Sequence, residues 1–359
     1  MKCLLLSKYG QLGASSRVRS YQYLPYLKAH GVEVTVAPLM GDNYLHDLYS
    51  GKGRNWASIV KTYLKRIGVL LRCSRFDLLW IEKELWPWFP AWAERTLNWL
   101  RIPYVVDYDD AVFHRYDLSR KPVSRLVLRN KIDVVMRNAS LVIVGNDYLA
   151  EKAESARAGR VELLPSVIDL QRFPNDVRQH SDPFTIGWIG TPVTSRYLLL
   201  VHEALQQLSL PGGFRLVTVG AGSPRLSGVP VENWDWSEGT EVSSLKCFDV
   251  GIMPLSDDLW AQGKCGYKLI QYMACGLPVV ASPVGSNRQI VEHGVNGFLA
   301  SSPNQWVECL TQLGLNSELR RAMGRAGRMK VEAGYCLQVT APRLLSFLLD
   351  TAFTRAVVV

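Results

Sequence analysis

The chain has 359 residues, of which 48% are hydrophobic and 20% charged, and a formal charge of +9. This length and balance exclude a disordered or fibrous chain and predict an ordered protein of two domains. The seven cysteines form no CxxC or His-paired spacing, which excludes a zinc scaffold and predicts buried, reduced thiols in a cytoplasmic compartment.

No apolar run reaches the roughly 18 residues of a membrane span, and the opening Met1 to Ser7 is too quickly polar for a signal peptide. A soluble protein is expected, or one held peripherally on the inner face of the membrane. The positive charge points to an anionic partner, a lipid surface or a phosphorylated substrate. Nucleic acid is set aside, because no zinc-finger spacing, RNP-like strand or basic run calls for it.

Residues 2–7 predict a first strand. A loop holding Gly10, Gly13, Ser15 and Ser16 follows, then one amphipathic helix to Gly31 and a second strand over 32–39. This βαβ pattern belongs to a parallel sheet, whose ligands sit beyond the carboxyl ends of the strands, so Gly13 and Ser15 fall in cleft territory. The loop is not GxGxxG. Arg17 and Arg19 at the helix start either meet an anion or are solvated helix charges.

Residues 58–76 set Ile59, Leu64 and Ile67 beside Lys61, Lys65 and Arg66 with no acid among them. Such a segment either lies on an anionic bilayer or packs as an ordinary helix with a basic outer face. The nearby Trp86, Trp88, Phe89 and Trp92 suit an interface, an acceptor groove or an aromatic core. A strand over 77–85, a helix over 90–101 and a strand over 102–113 follow, the last running into Asp107, Asp109 and Asp110. A carboxylate there either orients an acceptor hydroxyl and takes its proton or caps the next turn. His114 stands within reach, in a catalytic or a structural role.

A helix is expected near 121–139, a strand and helix over 140–153, and a last strand within 161–173, closing a first domain over 1–168. Residues 169–184, polar and with two prolines, read as a linker. A second βαβ series fills 185–340. Its first strand ends in Gly190 and Thr191 and enters a helix with Arg196. Further strands lie within 214–222, 229–237 and 247–255.

Gly263 and Gly266 then bracket Lys264. Leu269, Ile270, Met273 and Ala274 recur at helical spacing until Gly276 and Pro278, and a strand PVVAS and a loop PVGSN follow. The free N–H groups at such a helix start attract phosphate. Cys265 and Cys275 read as small apolar fillers. Helices run from residue 302 onward, with a terminal helix and tail over 341–359.

GYKLIQYMACGLPVVASPVGSNRQIVEHGVNGFL, the strand and loop IGWIGTP followed by HEAL, and the terminal LRRAMGRAGRMKVEAGY resemble the nucleotide-sugar-binding unit of glycosyltransferase family 4, the group 1 glycosyltransferases. They cover most of residues 184–336, and the N-terminal half resembles the family more loosely. The resemblance implies an α/β GT-B fold, two Rossmann-like domains facing an interdomain cleft. It also implies a retaining, metal-free transfer of a sugar from a nucleoside diphosphate sugar to a hydroxyl, in cell-surface polysaccharide or glycolipid assembly.

The resemblance places the diphosphate against Gly190 and the helix start at Gly266. Arg196 stands where the family usually has a lysine, Thr191 replaces an arginine, and Lys264 and Lys268 are the local cations. The family's paired glutamates fall on Gly263 and Gln271, of which Gln271 still offers an amide to ribose hydroxyls. Asp257 or Asp258 either stands in for the first acid or caps a loop. The family's frequent His-Asp appears as Asp109 and Asp110, with Gly13, Ser15 and Arg17 on the acceptor side. The positive charge and the basic segment favour a lipid-linked acceptor. A non-catalytic nucleotide-sugar-binding protein and a GT-B nucleotide-sugar epimerase are the alternatives.

Overall fold

The computed structural model describes residues 1–49, 56–174 and 182–353. They divide into two compact units, the first made of Met1–Ser166 and the segment from Thr340 onward, the second of Val167–Val339.

Unit 1 runs β1 (Lys2–Leu6), α1 (Ala14–Arg19), α2 (Leu24–Ala29), β2 (Glu33–Val36), α3 (Asp42–Tyr49), α4 (Trp56–Leu70), β3 (Leu78–Glu82), α5 (Trp92–Trp99) and β4 (Tyr104–Tyr108). It continues through α6 (His114–Asp117), α7 (Pro122–Leu128), α8 (Lys131–Asn138), β5 (Leu141–Val144), α9 (Asp147–Ser155) and β6 (Val161–Leu163). The six strands form one sheet, order β2-β1-β3-β4-β5-β6, with every pairing parallel. Strands β3, β4 and β5 are buried along their whole length, as expected of a parallel sheet covered on both faces. The strand order turns back between β1 and β3, which makes their carboxyl ends a switch point.

The single helix expected up to Gly31 is broken. Ser20 leaves helical geometry, a 3₁₀ turn spans Tyr21–Tyr23, and α2 restarts with Pro25 in its first turn. Proline has no N–H for the carbonyl four residues back, so an uninterrupted helix loses a bond there. Likewise the helix expected near 121–139 is two, α7 and α8.

Unit 2 runs β7 (Phe184–Ile189), α10 (His202–Gln207), β8 (Phe214–Val219), β9 (Val231–Trp234), α11 (Glu241–Lys246), β10 (Val250–Met253), α12 (Leu259–Gln262) and α13 (Tyr267–Ala274). It closes with β11 (Val279–Ala281), α14 (Asn287–Ile290), β12 (Gly297–Leu299), α15 (Pro303–Leu315), α16 (Ser317–Gly334) and the start of α17 (Leu337–Phe353). Its sheet is also parallel, in the order β12-β11-β10-β7-β8-β9, and turns back between β7 and β10. Side chains alternate between two cores, as a period of two requires. Ile186, Trp188, Leu216 and Ile252 enter one; Ile189, Val217, Val279 and Ala281 enter the other, where α13 packs.

The linker expected over 169–184 is anchored where it is described. Ile168 bridges to Cys336, Leu170–Arg172 form a 3₁₀ turn, and Phe173 is buried in the core of unit 2. Its apolar residues find partners that composition alone does not reveal. Residues 175–181 of that segment, and the RAVVV tail, lie outside the described residues. α17 begins in unit 2 and from Thr340 belongs to unit 1, where Tyr23 Oη meets Thr340 Oγ1 at 3.0 Å and Arg343 donates to the Leu163 carbonyl.

Candidate active site

In unit 2 the carboxyl ends of β7 and β10 are drawn together by α13. The Tyr272 hydroxyl accepts from the Ile189 amide at 2.9 Å and donates to the Ile252 carbonyl at 3.4 Å, so one side chain ties the helix to both strands. Burial pushes that hydroxyl's pKa up, and it stays a neutral donor.

One turn earlier, Lys268 lies over the Trp188 ring, 4.9 Å from its centre. A Cβ added at Gly190 would sit against that ring and 2.9 Å from Lys268 Nζ. Glycine at 190 therefore keeps open the approach of the cation to the end of β7. Thr191 closes the next turn, its amide donating to Thr194 Oγ1 and its carbonyl accepting from Thr194 and Ser195.

Gly266 caps α13 with φ of 66°, and a Cβ there would strike Ile290. Lys264 is half-buried in the preceding loop, and Gln271 is buried one turn beyond Lys268. Ser286, in the PVGSN loop, approaches Gly266, and its buried hydroxyl has no hydrogen-bond partner. Buried polar atoms are ordinarily satisfied, so the orphaned Ser286 hydroxyl beside the start of α13 marks a place where a polar ligand can supply the partner.

Arg196 is exposed, its guanidinium over the Tyr197 ring at 5.2 Å. Tyr197 first and Asp258 further off raise its pKa. Asp258 itself caps α12 by accepting from Ala261, and Asp257 accepts from Gln262. Asp258 thus takes the loop-capping alternative. Gly263, the C-cap of the same short helix, carries no side chain to replace a carboxylate.

In unit 1 the expected acceptor-side residues gather at the ends of β1, β3 and β4. Asp109 pairs with Lys83 at 2.7 Å and accepts from Ser15 Oγ at 2.5 Å, while Lys83 also donates to Ser15. Burial works against the charge on Asp109, but Lys83 and the bonds from Lys83 and Ser15 prevail and hold its carboxyl at about 2. Lys83 adopts a φ of 66°, uncommon away from glycine, and the cation is placed by that turn. A carboxylate this acidic orients a hydroxyl better than it removes a proton. Asp110, beside it, is half-buried.

Arg17 and Arg19 are both buried, so neither is a solvated helix charge. Arg19 is bound to Asp107 at 2.9 Å and to the Leu164 carbonyl, and Arg17 donates to the Gln11 carbonyl. Burial raises Asp107 to about 6 in spite of Arg19. Gly13 is the N-cap of α1. Both ring nitrogens of His114 are engaged, one by Asp117 at 2.9 Å and the other by the Tyr148 hydroxyl at 2.7 Å, which favours the structural alternative for this residue.

Sequence reasoning missed Lys83, Tyr272, Ser286 and Lys8. Lys8, one residue past Ser7 at the end of β1, has its pKa lowered to about 8 by burial and by Arg115 and Lys83. The signal for Lys8 and Lys83 was available: each is a basic residue just beyond an apolar strand.

Solved structures share this architecture over nearly the whole chain. HepE of Anabaena in complex with UDP and glucose has a TM-score of 0.68 and 16% identity, covering 98% of this chain and 100% of that one. Sucrose-phosphate synthase from Thermosynechococcus elongatus has a TM-score of 0.67 and 15% identity over 99% and 100%. Residues 183–316 match the model of the family described as glycosyl transferases group 1. The chain has the GT-B fold of these structures, and its segment 183–316 is similar to the group 1 glycosyl transferases.

Curated relatives share parts of it. D-inositol 3-phosphate glycosyltransferase of Corynebacterium jeikeium is 24% identical over 68% of this chain and 63% of its own length. Spore coat protein SA of Bacillus subtilis is 35% identical over 21% of this chain and 20% of its own. The chain thus spans less than two thirds of the length of either relative. The matched segment 183–316 holds Gly190, Arg196 and Lys268.

Proposed function

We propose that this chain is a retaining glycosyltransferase that moves a sugar from a nucleoside diphosphate sugar to a hydroxyl acceptor without a metal. The observation that carries the reading is the approach of Lys268 to Gly190 at the switch point of unit 2, beside the start of α13. Backbone N–H groups and Lys264, Lys268 and Arg196 there suit a diphosphate, and the charge that develops on the leaving group is stabilised by the same cations. Gln271 and the orphaned hydroxyl of Ser286 suit the rest of the donor. HepE, whose complexes contain UDP and glucose or UDP-glucose, lends support to a uridine donor.

The acceptor belongs to unit 1. Gly13, Ser15 and Arg17 line its side, Asp109 orients the hydroxyl, and Asp110 receives the proton. Lys8 and Arg115 add positive charge, which suits an acceptor bearing an anionic group, such as a lipid-linked phosphate. On this reading the protein acts in cell-surface polysaccharide or glycolipid assembly, peripherally on the inner face of the membrane.

The test is thermal unfolding with a panel of UDP-, GDP-, ADP- and dTDP-sugars, since a ligand at a hundred times its Kd stabilises by about 2.7 kcal/mol. One donor family is expected to raise the midpoint, and turnover of that donor is expected to survive EDTA. No shift with any donor overturns the assignment. A second reading, donor binding without transfer, is favoured by the missing carboxylates at Gly263 and Gln271; hydrolysis or transfer of the bound donor excludes it.

A further inference from the structure

Helix α4 is laid on unit 1 in an inverted manner. Its buried residue is Arg66, whose guanidinium donates to the carbonyls of Ser7 and Ala37 at 2.9 Å each. Its large apolar residues face outward: Trp56 is 67% exposed, Leu64 62% and Leu71, one residue past the helix end, 79%. Val60 and Ile67 are exposed with them. At roughly 100° per residue these five positions share an arc of about 80°. Lys61, Lys65 and Arg72, all exposed, occupy the adjoining arc. The helix therefore has three faces, one on the core, one apolar to solvent and one basic beside it.

Helix α7 repeats the chemistry. Its buried residue is Leu128, while Val123, Leu126 and Val127 are exposed, Leu126 at 79%. Lys121, Arg125 and Arg129 stand exposed among them. Neither 56–76 nor 118–132 contains an acid. The two helices are joined through the aromatic loop that follows β3. Tyr63 of α4 donates to the Pro87 carbonyl and lies 5.8 Å from the Phe89 ring, and Trp88 packs edge-on against Tyr116 of α6, the helix leading into α7. Trp88 and Phe89 are themselves about half exposed.

We infer that unit 1 docks on an anionic lipid bilayer through α4 and α7 together, with Trp88 and Phe89 between them at headgroup depth. A protein partner of ordinary composition would meet positive charge beside each apolar strip with no acid to balance it. A bilayer of anionic lipid offers the matching pair, acyl chains for the strips and headgroups for the bases, with tryptophan favoured at the boundary. Among the described residues no helix is long and apolar enough to cross a membrane, so the contact is a surface one. The inference rests on the peripheral location proposed above and not on the transfer chemistry.

The test uses the full-length chain with extruded vesicles of phosphatidylcholine alone and of equimolar phosphatidylcholine and phosphatidylglycerol, read by co-flotation. Binding to the anionic vesicles, weakened by salt, is expected. The triple variant K61Q/K65Q/R72Q, which spares the structural Arg66, should lose about tenfold or more in partitioning. L64S/I67S and V123S/L126S should each lose a similar factor. All these side chains are exposed, so unchanged unfolding midpoints and an unchanged donor-induced shift are expected alongside.

Equal partitioning of wild type and variants overturns the inference, as does a wild-type chain that ignores anionic vesicles. A dimer abolished by L64S/I67S together with absent vesicle binding overturns it in favour of a second copy. Lost vesicle binding with donor binding intact removes the docking surface alone and leaves the glycosyltransferase reading standing.

Discussion

Lys268 and Asp109 are the two charges on which the candidate sites turn, and their surroundings set different tests. Lys268 rests on an aromatic face, so its removal sacrifices a cation–π contact of about 0.5–2 kcal/mol. For Lys268→Met we expect a modest loss of stability but at least a tenfold rise in donor Kd, because a charge-assisted bond is worth about 1.5–3 kcal/mol. Calorimetric titration with the responding nucleotide decides it, and an unchanged Kd removes Lys268 from the site. Asp109 is structural as well as positional. Its folded pKa lies below the ordinary value, so its contribution to stability is present above about pH 4 and is lost as pH falls towards about 2. Asp109→Asn should erase that acid limb and, by stranding buried Lys83, destabilise by about 3–5 kcal/mol near neutrality. Urea unfolding of both proteins across this pH range reads the difference.

At the scale of the element, α13 is the part whose placement makes a site out of a sheet edge. It covers the turn-back between β7 and β10, and Tyr272 crosslinks it to both strands. Tyr272→Phe keeps the ring but leaves the Ile189 amide unpaired, at a loss of about 1–3 kcal/mol. Because Ile189 precedes Gly190, donor affinity should fall with stability in this variant, whereas Lys268→Met affects mainly affinity. Measuring both quantities for both proteins separates the two roles. In unit 1, α4 shows how the pattern of an amphipathic helix leaves its orientation open. The sequence has a clear apolar strip, and the fold turns that strip outward.

At the scale of the whole molecule, the chain leaves unit 1 after Ser166 and returns to it at Thr340. The returning part of α17 buries Leu344 and Leu348 and satisfies Tyr23 and the Leu163 carbonyl. Burying each leucine contributes about 1.5–3 kcal/mol. A chain ending at Val339 should therefore unfold in unit 1 first, its transition lowered by about 3–6 kcal/mol, while the donor-induced shift of unit 2 is kept. Differential scanning calorimetry with and without donor shows whether the two transitions separate. A single unaltered transition would falsify the assignment of α17 to unit 1.

What the sequence determined alone was local. Apolar runs bounded by glycine and proline announced β1, β4, β7 and β10, and the spacing of Leu269, Ile270 and Met273 announced α13, because strand and helix periods are written into neighbouring residues. The loop at Gly190 and the helix start at Gly266 were legible for the same reason. What the tertiary structure alone decided was which distant residues meet. Arg19 finds Asp107, Lys83 finds Asp109 and Ser15, and Lys268 finds Gly190, in each case across a strand order that no local pattern encodes. It likewise turned Arg66 inward and Leu64 outward on α4. A helical period shows that a face exists, and only packing against the sheet decides whether that face meets the core or the solvent.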